Sequence, residues 1–186
     1  MFVTRLPIIS VMGSHEKEWP ELSVAIGKLI AHHDFHLLTG AGAGVMLSVA
    51  RAFCEERERE GLSIGVIPTL EYTSGLIATE EFPNPYIEIP IITQLEAKAG
   101  NDSVPYSRNR VNVLSGHALI FLPGDHGTRN EVALALQYNK PLILFGPSEA
   151  FAKFPEAATR AQDIEEVRLF LEQTLVQIKK KEGLSV

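Results

Sequence analysis

One cysteine, Cys54, stands in a chain of 186 residues. An intramolecular disulfide is therefore excluded, and a reducing compartment, the cytoplasm, is the expected location. Long apolar runs are missing as well. No segment approaches the ~20 residues that a membrane-spanning helix needs, and the N-terminus lacks the basic start and apolar stretch of a secretory leader. Basic residues are in the minority, 17 Lys and Arg against 23 Asp and Glu, for a formal net charge of −6. This balance argues against broad binding of nucleic acid or of an anionic membrane and leaves only a local basic pocket for a phosphate. Repeats, low-complexity tracts and a domain linker are also absent, so residues 1–186 are expected to form one domain with a substantial core.

What is present is alternation. Hydrophobic residues make up 45% of the chain, in short runs that switch between strand and helix spacing. Leu6 to Met12, His36 to Thr39, Ile64 to Ile67, Ile87 to Ile92, Ala118 to Leu122 and Pro141 to Phe145 read as buried strands. Between them, Leu22, Ile26, Leu29 and Ile30 recur at helical spacing behind Pro20, which suits a first turn. Val45, Val49 and Ala52 share a second helical face, SRNRVNVLSG (residues 107–116) a third, and Val132, Ala135 and Leu136 a fourth. Asp163 and Glu166 can cap a last helix striped by Ile164, Val167, Leu171, Leu175 and Ile178, with Lys179 to Lys181 where the helix dipole favours cations. The charge run Glu55 to Glu60, closed by Gly61, reads as a solvated helix end. The stretch from Pro68 to Pro85 is too long for a simple turn and reads as a lid or an interface. The pattern specifies an α/β fold: a Rossmann-like, mainly parallel sheet with helices on both faces and a crevice at the carboxyl ends of its strands.

Three glycine-marked turns would meet at that crevice. Gly13 and Ser14 follow the first strand. Gly40, Gly42 and Gly44 follow the second, where open backbone amides suit an anion at a helix start. A tight strand-to-helix connection explains the same glycines equally well, and Val45 stands where a dinucleotide fingerprint would end in glycine. The third turn, LPGDHGTRNE (residues 122–131), carries an acid, a histidine, a threonine, an arginine and a glutamate. Thr128 and Glu131 have capping-box spacing, which alone accounts for both. The same spacing would also aim the amides near Gly127 and Thr128 at a phosphate and set Glu131 beside a bound sugar, to stabilise charge or direct water.

The histidines invite a metal, but His32, His33 and His36 span a helix end and a strand start and have no clustered cysteines, so no metal site is assigned. His15 and His126 fall in crevice turns. Trp19 and Tyr72 read as packing residues, and Tyr106 fits packing or stacking. Ser107 has no histidine partner in a hydrolase motif.

In order, GSH (13–15), TGAGAGVM (39–46), IGVIPT (64–69), SRN (107–109) and PGDHGTRNE (123–131) resemble the Lonely Guy family, often labelled "possible lysine decarboxylase", whose most specific element is a PGGxGTxxE loop. The resemblance spans about residues 6–146. It implies a Rossmann-like homodimer that hydrolyses nucleoside 5′-monophosphates to free base and ribose 5-phosphate, with no cofactor. By position, Arg108 and Glu131 match the catalytic pair, and Gly124, Gly127 and Thr128 the phosphate loop. Nothing resembles a pyridoxal-phosphate enzyme. Three positions depart from the family pattern: Asp125 replaces a glycine, Asn109 a lysine and Pro105 a methionine. An added anion and a lost cation both weaken affinity for a doubly charged phosphate, unless Arg110 or Arg129 compensates. IEIPIITQL (87–95) followed by SRNRVNVLS and EVALAL is similar to the molybdenum-cofactor carrier proteins, which implies instead the binding of a phosphorylated pterin without cleavage.

Overall fold

The computed structural model describes residues 5–69, 82–96 and 107–182. Tyr72, Pro105, Tyr106 and most of the long segment after Pro68 lie outside them. The described elements are β1 (Ile8–Met12), α1 (Pro20–His32), β2 (His36–Thr39), α2 (Val45–Glu55), β3 (Ser63–Thr69), β4 (Ile89–Glu96), α3 (Arg108–Ser115), β5 (Ala118–Phe121), α4 (His126–Gln137), β6 (Leu142–Phe145), β7 (Arg160–Ala161) and α5 (Ile164–Glu182), with a 3-10 turn at Ser148–Phe151. The seven strands form one sheet in the order β4-β3-β2-β1-β5-β6-β7, every pairing parallel. This is the Rossmann-like arrangement that the alternation implies.

Strand alternation divides the core in two. Ile9 and Val11 of β1, Ala118 and Ile120 of β5, and Ile143 and Phe145 of β6 point to one side, where Ile26 and Ile30 of α1, Val49 and Phe53 of α2, and Val167 and Leu171 of α5 cover them. Met12, Leu119, Phe121, Leu142 and Leu144 point to the other, against Val113 of α3 and Val132 and Ala135 of α4. Truncating a fully buried side chain such as Phe53 costs about 3–5 kcal/mol, so each layer contributes strongly to stability.

Several local expectations change in the structure. β4 begins at Ile89, because residues 84–87 form a turn in which Asn84 accepts from the Tyr86 amide at 3.1 Å. The Glu55–Glu60 run is more than a solvated end. Arg59 bonds the Gly61 carbonyl, pairs with Glu88 at 2.9 Å and lies 4.7 Å over the Phe53 ring, fastening the segment to the start of β4. The two-residue β7 is too short for periodicity to disclose. At α5 the expected cap is present: the Glu166 amide donates to Asp163 at 2.9 Å, while the Glu166 carboxylate accepts from the Gln162 amide at 2.8 Å. His32 turns to Glu56, His33 to the Leu29 carbonyl and His36 to the Leu62 amide, so the three rings take separate partners. Among the described residues no helix is long and apolar enough to cross a membrane.

Candidate functional site

The sheet is built outward from β1 in one direction through β2, β3 and β4, and from β5 in the other through β6 and β7. The segments leaving the carboxyl ends of the adjacent strands β1 and β5 therefore part, and a crevice opens between them. A cavity of about 690 Å³ occupies this place, a size that suits a nucleotide-like small molecule.

Ser14 ties the turns together. Its amide donates to the Pro123 carbonyl at 3.1 Å and its carbonyl accepts from the Val45 amide at 2.9 Å. Its hydroxyl accepts from the amides of Glu16 and Lys17 at 3.2 and 3.0 Å, folding residues 14–17 into a tight turn. Gly44 precedes α2 with φ +61°, and a Cβ there would lie 2.3 Å from the Ser14 carbonyl oxygen, so both conformation and contact require glycine.

α3 and α4 supply the chemistry. Arg108 opens α3 behind the extended Ser107 and is 8% exposed. Its Nη1 donates to the Gly40 carbonyl and, at 3.3 Å, to the Val66 carbonyl, while its guanidinium lies 5.5 Å over the Phe82 ring. Its Nε is buried without an acceptor among the described residues. Burial lowers its hold on the proton, and the nearby Glu131 works against that. Asn112, one turn along the same helical face, donates from Nδ2 to Glu131 Oε1 at 3.5 Å.

Glu131 is 7% exposed and lines the same cavity as Arg108. Burial pushes its carboxyl up to about 7, against the opposing pull of Arg108 and of the Asn112 amide. Side chains 23 positions apart thus line one cavity and act on each other electrostatically because α3 and α4 pack side by side.

The third turn differs from a capping box. α4 begins at His126, two residues before Thr128, and Asp125 is its N-cap, with no side-chain cap bond. Thr128 and Glu131 therefore sit within the first two turns of the helix. The Arg129 amide donates back to the Asp125 carbonyl at 3.1 Å, and the amides of residues 126–128 precede this first intrahelical donor and have no acceptor within the helix. Gly127 has nothing within 4 Å of where a Cβ would stand, so this helix end is open to the cavity.

Of the sequence-derived candidates, Gly13, Ser14, Gly40, Arg108, Gly127, Thr128 and Glu131 line the cavity. Gly42, Gly44 and Gly124 stand behind it. The Gly42 carbonyl accepts from Asn84 at 3.0 Å, and a Cβ on Gly124 would lie 2.1 Å from the Thr128 hydroxyl. In the Gly40–Gly44 turn it is the carbonyls of Gly40 and Gly42 that engage side chains, while the Ala41 amide is taken by Thr39 at 3.1 Å. Arg110 lies 5.5 Å over the Tyr138 ring at the far end of α4, and neither it nor Arg129 lines the cavity. Sequence reasoning missed Phe82 and Asn112. Phe82 precedes Pro83 in an irregular segment with no periodic signal, whereas Asn112 was legible as the residue four after Arg108 in a helix.

Residues 6–176 match the model of the SLOG cluster4 family. The chain is 30% identical to the molybdenum cofactor carrier protein MCP of Chlamydomonas reinhardtii, with a TM-score of 0.68 over 92% of this chain and 99% of that one. It is 29% identical to the molybdenum cofactor binding protein of Rippkaea orientalis, with a TM-score of 0.70 over 93% and 99%. An uncharacterized protein of Archaeoglobus fulgidus is 27% identical over 145 residues, 77% of this chain and 82% of that one. The shared sheet, the loop at residues 123–131 and a family match running from β1 into α5 agree: the chain belongs to the SLOG cluster4 family, a Lonely Guy-like group.

Proposed function

We propose that this protein is a binding protein of the carrier type for a phosphorylated heterocyclic ligand, a nucleotide or a phosphorylated pterin such as molybdenum cofactor. The observation that carries this reading is the state of Arg108. Its guanidinium is buried and fastened to two backbone carbonyls, and its Nε–H has no acceptor among the described residues. Buried donors are almost always paired, so an orphan beside a cavity marks the place of an acceptor brought by a ligand. The open amides of α4 suit the phosphate, and the carboxamides of Asn109, Asn112 and Asn130 offer neutral donors and acceptors to hydroxyls or a ring edge. The likeness to two proteins described as molybdenum cofactor carrier and binding proteins supports the same reading.

A second reading, hydrolysis of the N-glycosidic bond of a nucleoside 5′-monophosphate, is favoured by Glu131. A carboxyl titrating near 7 beside a fixed cation suits general acid–base work. In that role Glu131 would stabilise positive charge at the anomeric carbon and direct water to it, and Arg108 would hold the substrate.

The deciding experiment incubates the protein with AMP or neopterin monophosphate and follows both thermal stabilisation and ligand integrity by chromatography. Stabilisation with intact ligand supports carriage. Release of adenine and ribose 5-phosphate, lost in Glu131→Ala, supports hydrolysis. Absence of both stabilisation and cleavage with either ligand refutes both readings.

The working form proposed is a cytoplasmic homodimer. Ile89, Ile91 and Ile92 on the edge strand β4 are 40%, 41% and 52% exposed, an apolar edge that a second copy would cover. Light scattering should return about twice the 20.5 kDa of one chain, and a monomer would refute this part.

A further inference from the structure

The phosphate end of the crevice has an unusual charge balance. Among the described residues, the titratable side chains lining the cavity are His15, Glu16, Arg108, Asp125, His126 and Glu131. Arg108 is the only one among them that is permanently cationic, and one nitrogen of its guanidinium is taken up by the carbonyls of Gly40 and Val66. Asp125 stands at the N-cap of the twelve-residue α4. It is exposed, makes no side-chain cap bond, and lines the cavity beside the open amides at Gly127. A helix start attracts one negative charge through its amides and dipole, and a carboxylate at the same place repels a second.

We infer that Asp125 sets the ligand class of this crevice: a phosphate carrying a single negative charge, as in a phosphodiester or the inner phosphates of a diphosphate linkage, in preference to a doubly charged monoester. This deepens the binding reading and rests on it. Among the described residues, Arg108 supplies the one fixed cation on the same cavity wall for a singly charged phosphate. The amides of α4 hold the remaining oxygens, and Asp125 faces an ester oxygen rather than a second anionic one. Asparagine caps a helix as well as aspartate does, so Asp125→Asn removes the charge and leaves the fold.

The test is calorimetric titration of the full chain with AMP and with its 5′-methyl ester at about pH 8, where the monoester carries close to two charges and the ester one. The native protein should bind the methyl ester about tenfold more tightly than AMP, a modest factor because Asp125 is solvent-exposed. In Asp125→Asn, AMP should strengthen until the two ligands agree within about twofold. Asp125→Gly, as a second variant, should show the same convergence. Preference for AMP in the native protein, or an unchanged ratio in both variants, overturns the inference while leaving the binding reading intact. Failure of both ligands to bind overturns the two together, and binding followed by cleavage of either leaves the charge preference standing.

Discussion

The guanidinium of Arg108 donates to the carbonyl of Gly40, so the cation that faces Glu131 is held by the end of β2, 68 positions away in the chain. A long side chain is thereby fixed before any ligand arrives, and little of its rotamer freedom remains to be lost on binding. Its planar fork satisfies two carbonyls and still leaves a donor over. Arg108→Lys, which keeps the charge but has no fork, is expected to weaken ligand binding by about tenfold while preserving most of the stability. Calorimetry with AMP and neopterin monophosphate, set beside thermal melts, checks this. Equal affinity in the lysine variant would mean that charge alone is used.

Glu131 makes stability depend on pH in a fixed direction. Its folded-state value lies above the ordinary 4.5, at about 7, chiefly through burial. The folded protein therefore holds a proton that the unfolded chain releases. This contribution is full below about pH 4.5 and is lost as pH rises through 7, a change of about 3 kcal/mol. Glu131→Gln, which never ionises, should flatten the fall in stability over that window, as read by urea denaturation at stepped pH. An identical slope in both proteins would show that the carboxyl titrates as if in water.

Two glycines of the same loop should respond oppositely to alanine. At Gly127, inside α4 with open space around it, alanine should stabilise by about 0.4–1 kcal/mol while obstructing the phosphate cradle and weakening binding. At Gly124 a Cβ would lie 2.1 Å from the Thr128 hydroxyl and 2.9 Å from the Ser14 amide nitrogen, and alanine should cost about 1–3 kcal/mol. Melting curves and ligand titrations on the two variants separate these effects.

At the opposite end of the sheet, the Nδ1 atoms of His36 and His117 accept from the Leu62 and Ile8 amides at 3.0 and 2.9 Å. Burial and then the neighbouring His117 hold His36 below its ordinary 6.5. The stability this provides is complete above 6.5 and is lost as pH falls through the depressed value. His36→Asn should reduce acid sensitivity below pH 6.5, observed by hydrogen exchange at Leu62 and Ile64. Unchanged sensitivity would shift the effect to other groups.

The architecture was legible because strand and helix periods alternate cleanly. The alternation of Ile9 and Val11 with Ser10 and Met12 discloses two sheet faces before any coordinates, and the stripes of α1, α2 and α5 belong to helices that cover one of them. The placing of Arg108 and Glu131 around one cavity was expected from family likeness alone, since nothing in local pattern says that α3 and α4 pack together. The start of α4 was misjudged for a physical reason. Thr128 and Glu131 have the spacing of a cap, but Asp125 is equally suited to that role and the chain turns helical there first. The carbonyl fastening of Arg108 and the ring of Phe82 beneath it were out of reach, because long-range contacts from irregular segments leave no periodic trace.

The most direct test of the central claim is the pairing of ligand titration with product analysis on the native protein, Arg108→Ala and Glu131→Ala. The account predicts that AMP or neopterin monophosphate binds the native chain and is recovered intact, and that Arg108→Ala weakens binding by at least about tenfold. Native affinity in Arg108→Ala, or no binding of either ligand by the native chain, would contradict it.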